Sequence, residues 1–137
     1  PPKAPRKLRV LIADDNAINR KVALLQMQKL GYNPDCVSNG VEVLEASERI
    51  EYDVLLLDCR MPELDGYDTA RAIRQREKAT SATAPVYIIA MTAEAMEEDK
   101  ERAFQVGMNA HLAKPVKIQD LTKILAEIDP ELNSRTS

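Results

Sequence analysis

Val54-Leu55-Leu56-Leu57-Asp58-Cys59-Arg60-Met61-Pro62 is the stretch on which the reading of the fold depends. Its consecutive apolar residues show no polar alternation, the pattern of a strand covered on both faces, as in a parallel sheet. The run ends on a carboxylate, and a loop from Cys59 to Gly66 follows.

Comparable strands are predicted on either side. Leu8 to Ala13, with β-branched Val10 and Ile12, suits a buried strand, as do Val86 to Met91 and the shorter Ala110 to Ala113. Asp35-Cys36-Val37 suits a short further one. Helical spacing fills the intervals. From Ala17 to Leu30 the apolar positions are Ile18, Val22 and Leu25, joined by Ala23, Met27 and Leu30, with Asn16 as cap and Gly31 as stop. Val41, Leu44 and Glu48 follow the Ser38-Asn39-Gly40 turn, and Tyr67, Ala70 and Ile73 share one face after Gly66. After the polar loop Thr80 to Pro85 and its strand, Glu94 to Val106 is helix-prone, acidic at its start and stopped by Gly107. Ile118, Leu121, Ile124, Leu125 and Ile128 form a core-facing stripe in the last helix. Five strands alternating with five helices imply right-handed crossovers and a doubly wound α/β domain with a parallel sheet.

The 137 residues suit one domain, placed at 8–128, with a proline-rich basic linker at 1–7 and a flexible tail at 129–137. A formal charge of −3 with scattered basic residues gives no footprint for nucleic acid. No apolar run approaches the roughly 18 residues of a membrane span, and no leader pattern opens the sequence, so no membrane contact and a cytoplasmic location are expected. Cys36 and Cys59 lack metal-like spacing and are expected to be reduced and structural.

In doubly wound sheets ligands gather at the carboxyl ends of the strands. Asp14 and Asp15 follow the first strand, Asp58 the third, Thr92 the fourth and Lys114 the fifth. Taken singly, each is ordinary: a turn aspartate, a capping hydroxyl, a surface lysine. Their convergence on one pocket carries the inference. Crowded carboxylates either raise a pKa or bind a cation, and an all-oxygen set suits a hard ion such as Mg2+. With Lys114 the carboxylates leave two negative charges in excess, which a divalent ion would neutralise, letting Asp58 act as the nucleophile in phosphoryl transfer. Cys59 has no evident basic partner and is expected to pack rather than react.

Ile12-Ala13-Asp14-Asp15-Asn16, Leu56-Leu57-Asp58-Cys59-Arg60-Met61-Pro62, Asp65-Gly66, Met91-Thr92-Ala93 and Lys114-Pro115 resemble the motifs of response-regulator receiver domains, over roughly residues 7–128. The resemblance implies a flavodoxin-like sheet of order 2-1-3-4-5 and a phosphoryl group passing from a phosphohistidine to Asp58, which catalyses its own phosphorylation and dephosphorylation rather than turning over like a conventional enzyme. It implies that Asp15, Asp58 and the backbone carbonyl of Arg60 ligate Mg2+ (or Mn2+), that Asp14 acts mainly through water, and that Thr92 and Lys114 contact the phosphoryl oxygens. It also implies a cis bond between Lys114 and Pro115. Thr92 and His111 occupy the switch positions; His111 stands where the family usually has tyrosine or phenylalanine, and an imidazole both changes rotamer and carries charge. Arg60 and Glu94, two residues after Asp58 and Thr92, are expected to flank the phosphoryl group and set its lifetime. A histidine kinase or histidine phosphotransfer domain is expected to dock on Ile18, Asn19, Val22 and Pro115, with the isolated domain a monomer.

The Asp-Asp-Asn opening, Asn19 and the Asp58 to Pro62 stretch look most like receivers fused to hybrid sensor kinases, which is favoured over a stand-alone regulator. A haloacid-dehalogenase-type phosphotransferase would place a second aspartate where Arg60 stands. A flavodoxin-like carrier needs a hydroxyl- and glycine-rich phosphate loop, and Asp14-Asp15 would repel the flavin phosphate. The complete acid, hydroxyl and lysine set speaks against a receiver that serves only as an interaction module.

Overall fold

The computed structural model describes residues 8–80, 85–93 and 97–129. Strands β1 (Val10–Ala13), β2 (Asp35–Val37), β3 (Val54–Asp58), β4 (Tyr87–Thr92) and β5 (Ala110–Ala113) alternate with helices α1 (Ala17–Lys29), α2 (Gly40–Arg49), α3 (Gly66–Thr80), α4 (Glu97–Gln105) and α5 (Ile118–Ile128). Every strand pair is parallel and the order is β2-β1-β3-β4-β5, as expected.

Side-chain alternation along the strands explains their unbroken apolar runs. Val10, Ile12, Val54, Leu56, Ile89 and Met91 point to a core shared with Ala23 and Met27 of α1 and Leu121 and Leu125 of α5. Leu11, Ala13, Leu55, Leu57, Ile88 and Ala90 point to the opposite core, shared with Val43, Ala70, Ile73 and Ala103 of α2, α3 and α4. Both faces of the sheet are thus dry, and each fully buried leucine contributes about 1.5–3 kcal/mol. No described helix is long and apolar enough to cross a membrane.

The chain reverses direction across the sheet between β1 and β3, which opens a crevice at their carboxyl ends. Asp58 and Thr92 are the last residues of their strands rather than the first beyond them. The ladder runs on because the Cys59 N–H donates to the Met91 carbonyl at 3.1 Å and the Lys114 N–H to the Thr92 carbonyl at 2.8 Å.

Asn16 caps α1 as predicted, its side-chain oxygen accepting the N–H groups of Ile18 and Asn19. The core face of α1 differs from the apolar list as a whole. Ala23, Met27 and Leu30 are buried, whereas Ile18 is 75% and Leu25 is 47% exposed. The stripe of Ile18, Val22 and Leu25 lies one position, about 100°, around the helix from the buried one. In α2 the buried apolar side chain is that of Val43, with Val41 at the surface. Cys36 is exposed on the edge strand β2 and does not share the packing role of buried Cys59; both are free thiols. Asp129, placed by sequence at the start of a flexible tail, is buried at the end of α5 and accepts the Tyr32 hydroxyl proton. The linker at 1–7 and the rest of the tail lie outside the described residues.

Candidate functional site

Asp14 is fully buried at the end of β1. Its N–H donates to the Val37 carbonyl at 3.2 Å, its Oδ1 accepts the Asn16 N–H at 2.9 Å, and its carbonyl accepts from the Arg20 guanidinium at 2.8 Å. These bonds consume one carboxylate oxygen and leave Oδ2 facing the crevice. Asp58, 3% exposed, offers Oδ1 to the Arg60 N–H at 3.1 Å and Oδ2 to Lys114. The Lys114 ammonium sits 2.8 Å from Asp58 Oδ2 and 3.3 Å from Asp14 Oδ2, bridging the buried acids. Asp15 is exposed beside them, and oxygens of Asp14, Asp15 and Asp58 lie within 4.8 Å of one another.

One lysine does not balance that charge. Burial pushes the Asp58 carboxyl up to about 6, against the pull of Lys114 and the Arg60 N–H, and the charge of Asp14 adds to the rise. Burial also works against the Lys114 ammonium, but its hydrogen bond to Asp58 and the charges of both acids hold its pKa above the usual lysine value. A further positive charge would therefore be welcome, and the donor set is the all-oxygen set of a hard divalent cation. The carboxylates present fit such an ion.

Thr92 ends β4 on the same crevice, with its Oγ1 buried and without a hydrogen-bond partner among the described residues. An orphan hydroxyl in that position is a donor awaiting an acceptor. The cleft, about 520 Å³, is lined by Asp15, Asn19, Asp58, Arg60, Thr92 and Lys114 from the predicted set. The Lys114–Pro115 bond is cis, as expected, and Pro115 is exposed beside it. Ile18 projects into solvent from the first turn of α1, while Val22 is partly buried.

His111 stands apart. It pairs with Ala90 in the sheet and is partly buried between α4 and α5, where Phe104 and Ile124 are neighbours, and it does not line the acid cleft. Glu94 lies outside the described residues. Sequence reasoning missed three residues near the cleft. Tyr67, read as a core position of α3, also lines the cleft, as does Asp99 of α4. Arg102, one turn after Asp99, places its guanidinium 4.2 Å from the Tyr67 ring centre. The i, i+3 spacing of Asp99 and Arg102 was a signal that both face one way. Gly66 was read only as the start of a helix; a Cβ there would stand 2.4 Å from the Asp58 carbonyl oxygen, so α3 begins directly against the end of β3.

The family model for the response regulator receiver domain matches residues 10–126. The chain is 38% identical over 120 residues to hybrid signal transduction histidine kinase B of Dictyostelium discoideum, a match covering 82% of this chain and 6% of that protein. It is 42% identical over 123 residues to the hybrid signal transduction protein dokA of the same organism, covering 90% of this chain and 7% of that one. It therefore spans less than a tenth of the length of either relative. Among solved structures, the co-crystal of the Saccharomyces cerevisiae histidine phosphotransfer protein Ypd1 with the receiver domain of Ssk1 contains a chain that superposes with a TM-score of 0.86 at 30% identity, covering 94% of this chain and 93% of that one. The receiver domain of sensor histidine kinase PA1611 from Pseudomonas aeruginosa, with magnesium in its active-site cleft, superposes with a TM-score of 0.77 at 39% identity, covering 89% and 97%. Fold, strand-end acids and sequence matches agree, and the chain belongs to the response-regulator receiver domains of two-component signalling.

Proposed function

We propose that Asp58 accepts a phosphoryl group from a phosphohistidine, with Mg2+ (or Mn2+) held by Asp15, Asp58 and the Arg60 backbone carbonyl directly and by Asp14 mainly through water. The single observation that carries this reading is the buried pairing of Asp58 and Asp14 with Lys114 beside the unpartnered Thr92 hydroxyl. An Asp58 carboxylate oxygen forms the new O–P bond as the N–P bond of the donor breaks, and the departing imidazole nitrogen keeps the electron pair. Lys114 gives its ammonium to the incoming oxygens, and Thr92 supplies the donor that its buried position leaves unused. A bound divalent ion supplies the positive charge that one lysine cannot. His111 and Thr92 are assigned to the switch, with His111 reading the change at the α4–β5–α5 face. Arg60 stands at the mouth of the cleft, where it would hinder water; its suggested counterpart Glu94 lies outside the described residues.

The exposed Ile18 in the first turn of α1, beside Asn19 of the cleft wall, with Val22 one turn on and Pro115 next to Lys114, supports docking of a histidine phosphotransfer domain or histidine kinase there. The hybrid-kinase relatives favour a receiver within a hybrid kinase, and the cocrystal of Ypd1 with the receiver of its downstream response regulator favours a histidine phosphotransfer protein as a partner; a cytoplasmic location goes with this reading. Transfer from a phosphorylated histidine phosphotransfer protein, followed on wild type and Ile18→Asp, tests both points. Wild type should gain label at Asp58 and the variant should gain it more slowly while remaining folded. Unlabelled wild type with every candidate donor would contradict the acceptor reading, and an unaffected variant would remove the docking surface.

A further inference from the structure

Asp99 contributes a carboxylate to a cleft that already holds an excess of negative charge. It is partly buried and lines the cavity together with Asp58, Arg60, Tyr67 and Thr92. It is not part of the Asp14, Asp15 and Asp58 cluster whose oxygens converge within 4.8 Å. Among the described residues no cation pairs with it: Lys100 bonds Glu97, at 3.7 Å, and Arg102 is seated on the Tyr67 ring. That seat matters, because Asp99 and Arg102 share one face of α4, and Tyr67 is itself fixed by burial at the start of α3 against the Cys59 thiol. With Ala103 of α4 buried in the core, this contact accompanies an Asp99 that lines the cleft at the end of β3.

Resting on the acceptor reading above, we propose that Asp99 sets the balance between the empty and phosphorylated states of this cleft: its carboxylate attracts the free cation and repels the phosphoryl anion on Asp58. The arrangement suits a relay intermediate, which must give up its phosphoryl group as readily as it takes it. A carboxylate that merely capped or stabilised α4 would move both affinities together. One that faces the cleft must move them in opposite directions, because the two ligands carry opposite charge.

The test measures Mg2+ binding alone, and then binding of beryllium trifluoride, an anionic mimic of the phosphoryl group, at saturating Mg2+, by calorimetry on wild type, Asp99→Asn and Glu98→Gln. Glu98 is its exposed neighbour on α4, does not line the cleft, and controls for loss of a charge in general. Asp99→Asn should weaken Mg2+ about fourfold and tighten the fluoride complex about twofold, effects that shrink with added salt, while Glu98→Gln leaves both within error. Unchanged affinities in Asp99→Asn, shifts of the same sign, or an equal effect in Glu98→Gln would overturn the proposal. Wild-type protein that takes no fluoride complex would overturn the acceptor reading and this inference with it.

Discussion

Replacing Gly66 by alanine places a methyl group where two backbones meet. The new Cβ would stand 2.4 Å from the Asp58 carbonyl oxygen, 2.9 Å from Cys59 Cα and 3.0 Å from the Asp58 carbonyl carbon. Ordinary contact begins near 3.4 Å, so the start of α3 and the end of β3 must separate by up to about 1 Å. No rotamer relieves this, since every crowded atom is main chain. Overpacking of this kind costs about 1–3 kcal/mol. The separation also stretches the 3.1 Å bond from the Gly66 N–H to the Cys59 carbonyl, worth about 0.5–1.5 kcal/mol. Alanine returns at most about 1 kcal/mol of helix propensity, leaving a net loss of about 1–3 kcal/mol in urea denaturation. The functional effect should be larger than the stability loss suggests, because the displaced peptide carries the acceptor carboxylate, and a misplacement of about 1 Å can slow a positioned reaction about a hundredfold. Gly31→Ala is the control. Its φ of +95° makes alanine strained, at about 1 kcal/mol, but it closes α1 at the end away from the cleft and should leave phosphorylation by a small phosphodonor at the wild-type rate. A Gly66→Ala protein as stable as wild type and phosphorylated as fast would refute the packing argument.

Thr92→Val should raise the stability of the unphosphorylated protein by about 1 kcal/mol, because it removes a buried hydroxyl without a partner, while slowing phosphorylation; thermal melts and phosphorylation rates separate the two effects. Magnesium at 100 times its Kd should add about 2.7 kcal/mol to wild-type stability and far less to Asp15→Asn, seen as a lost shift in melting temperature. Leu121→Ala should cost about 2–5 kcal/mol in chemical denaturation, since the side chain is fully buried between α5 and the sheet, and it should leave Mg2+ affinity unchanged in the molecules that fold.

The sheet was legible because β1, β3 and β4 are apolar on both faces, and that pattern admits few arrangements once helices alternate with strands. Asp14, Asp58, Thr92 and Lys114 could be found because a strand end fixes where its side chain goes. Helix faces were harder. Two apolar stripes run along α1, and sequence spacing does not say which one the sheet covers; Ala23 and Met27 took the core and left Ile18 outside. Asp99 was missed because its direction depends on how α4 is rotated, which goes with burial of Ala103 and with Arg102 lying on Tyr67, contacts between residues far apart in the chain. Asp129 was assigned to a tail because only its packing against Tyr32, 97 residues away, reveals that it is fixed. His111 was matched to a switch position through neighbours in sequence, whereas its place between α4 and α5 follows from the register with Ala90.

Phosphoryl transfer to this domain converges on one carboxylate, that of Asp58. Wild-type protein and Asp58→Asn, each incubated with a small phosphodonor with Mg2+ and with excess chelator, can be compared by intact-mass spectrometry followed by peptide mapping. One acid-labile phosphoryl adduct should appear, located at Asp58, formed by wild type with Mg2+, nearly absent with chelator and absent from the variant. The same adduct on Asp58→Asn, or its formation at equal rate without a divalent cation, would contradict this assignment.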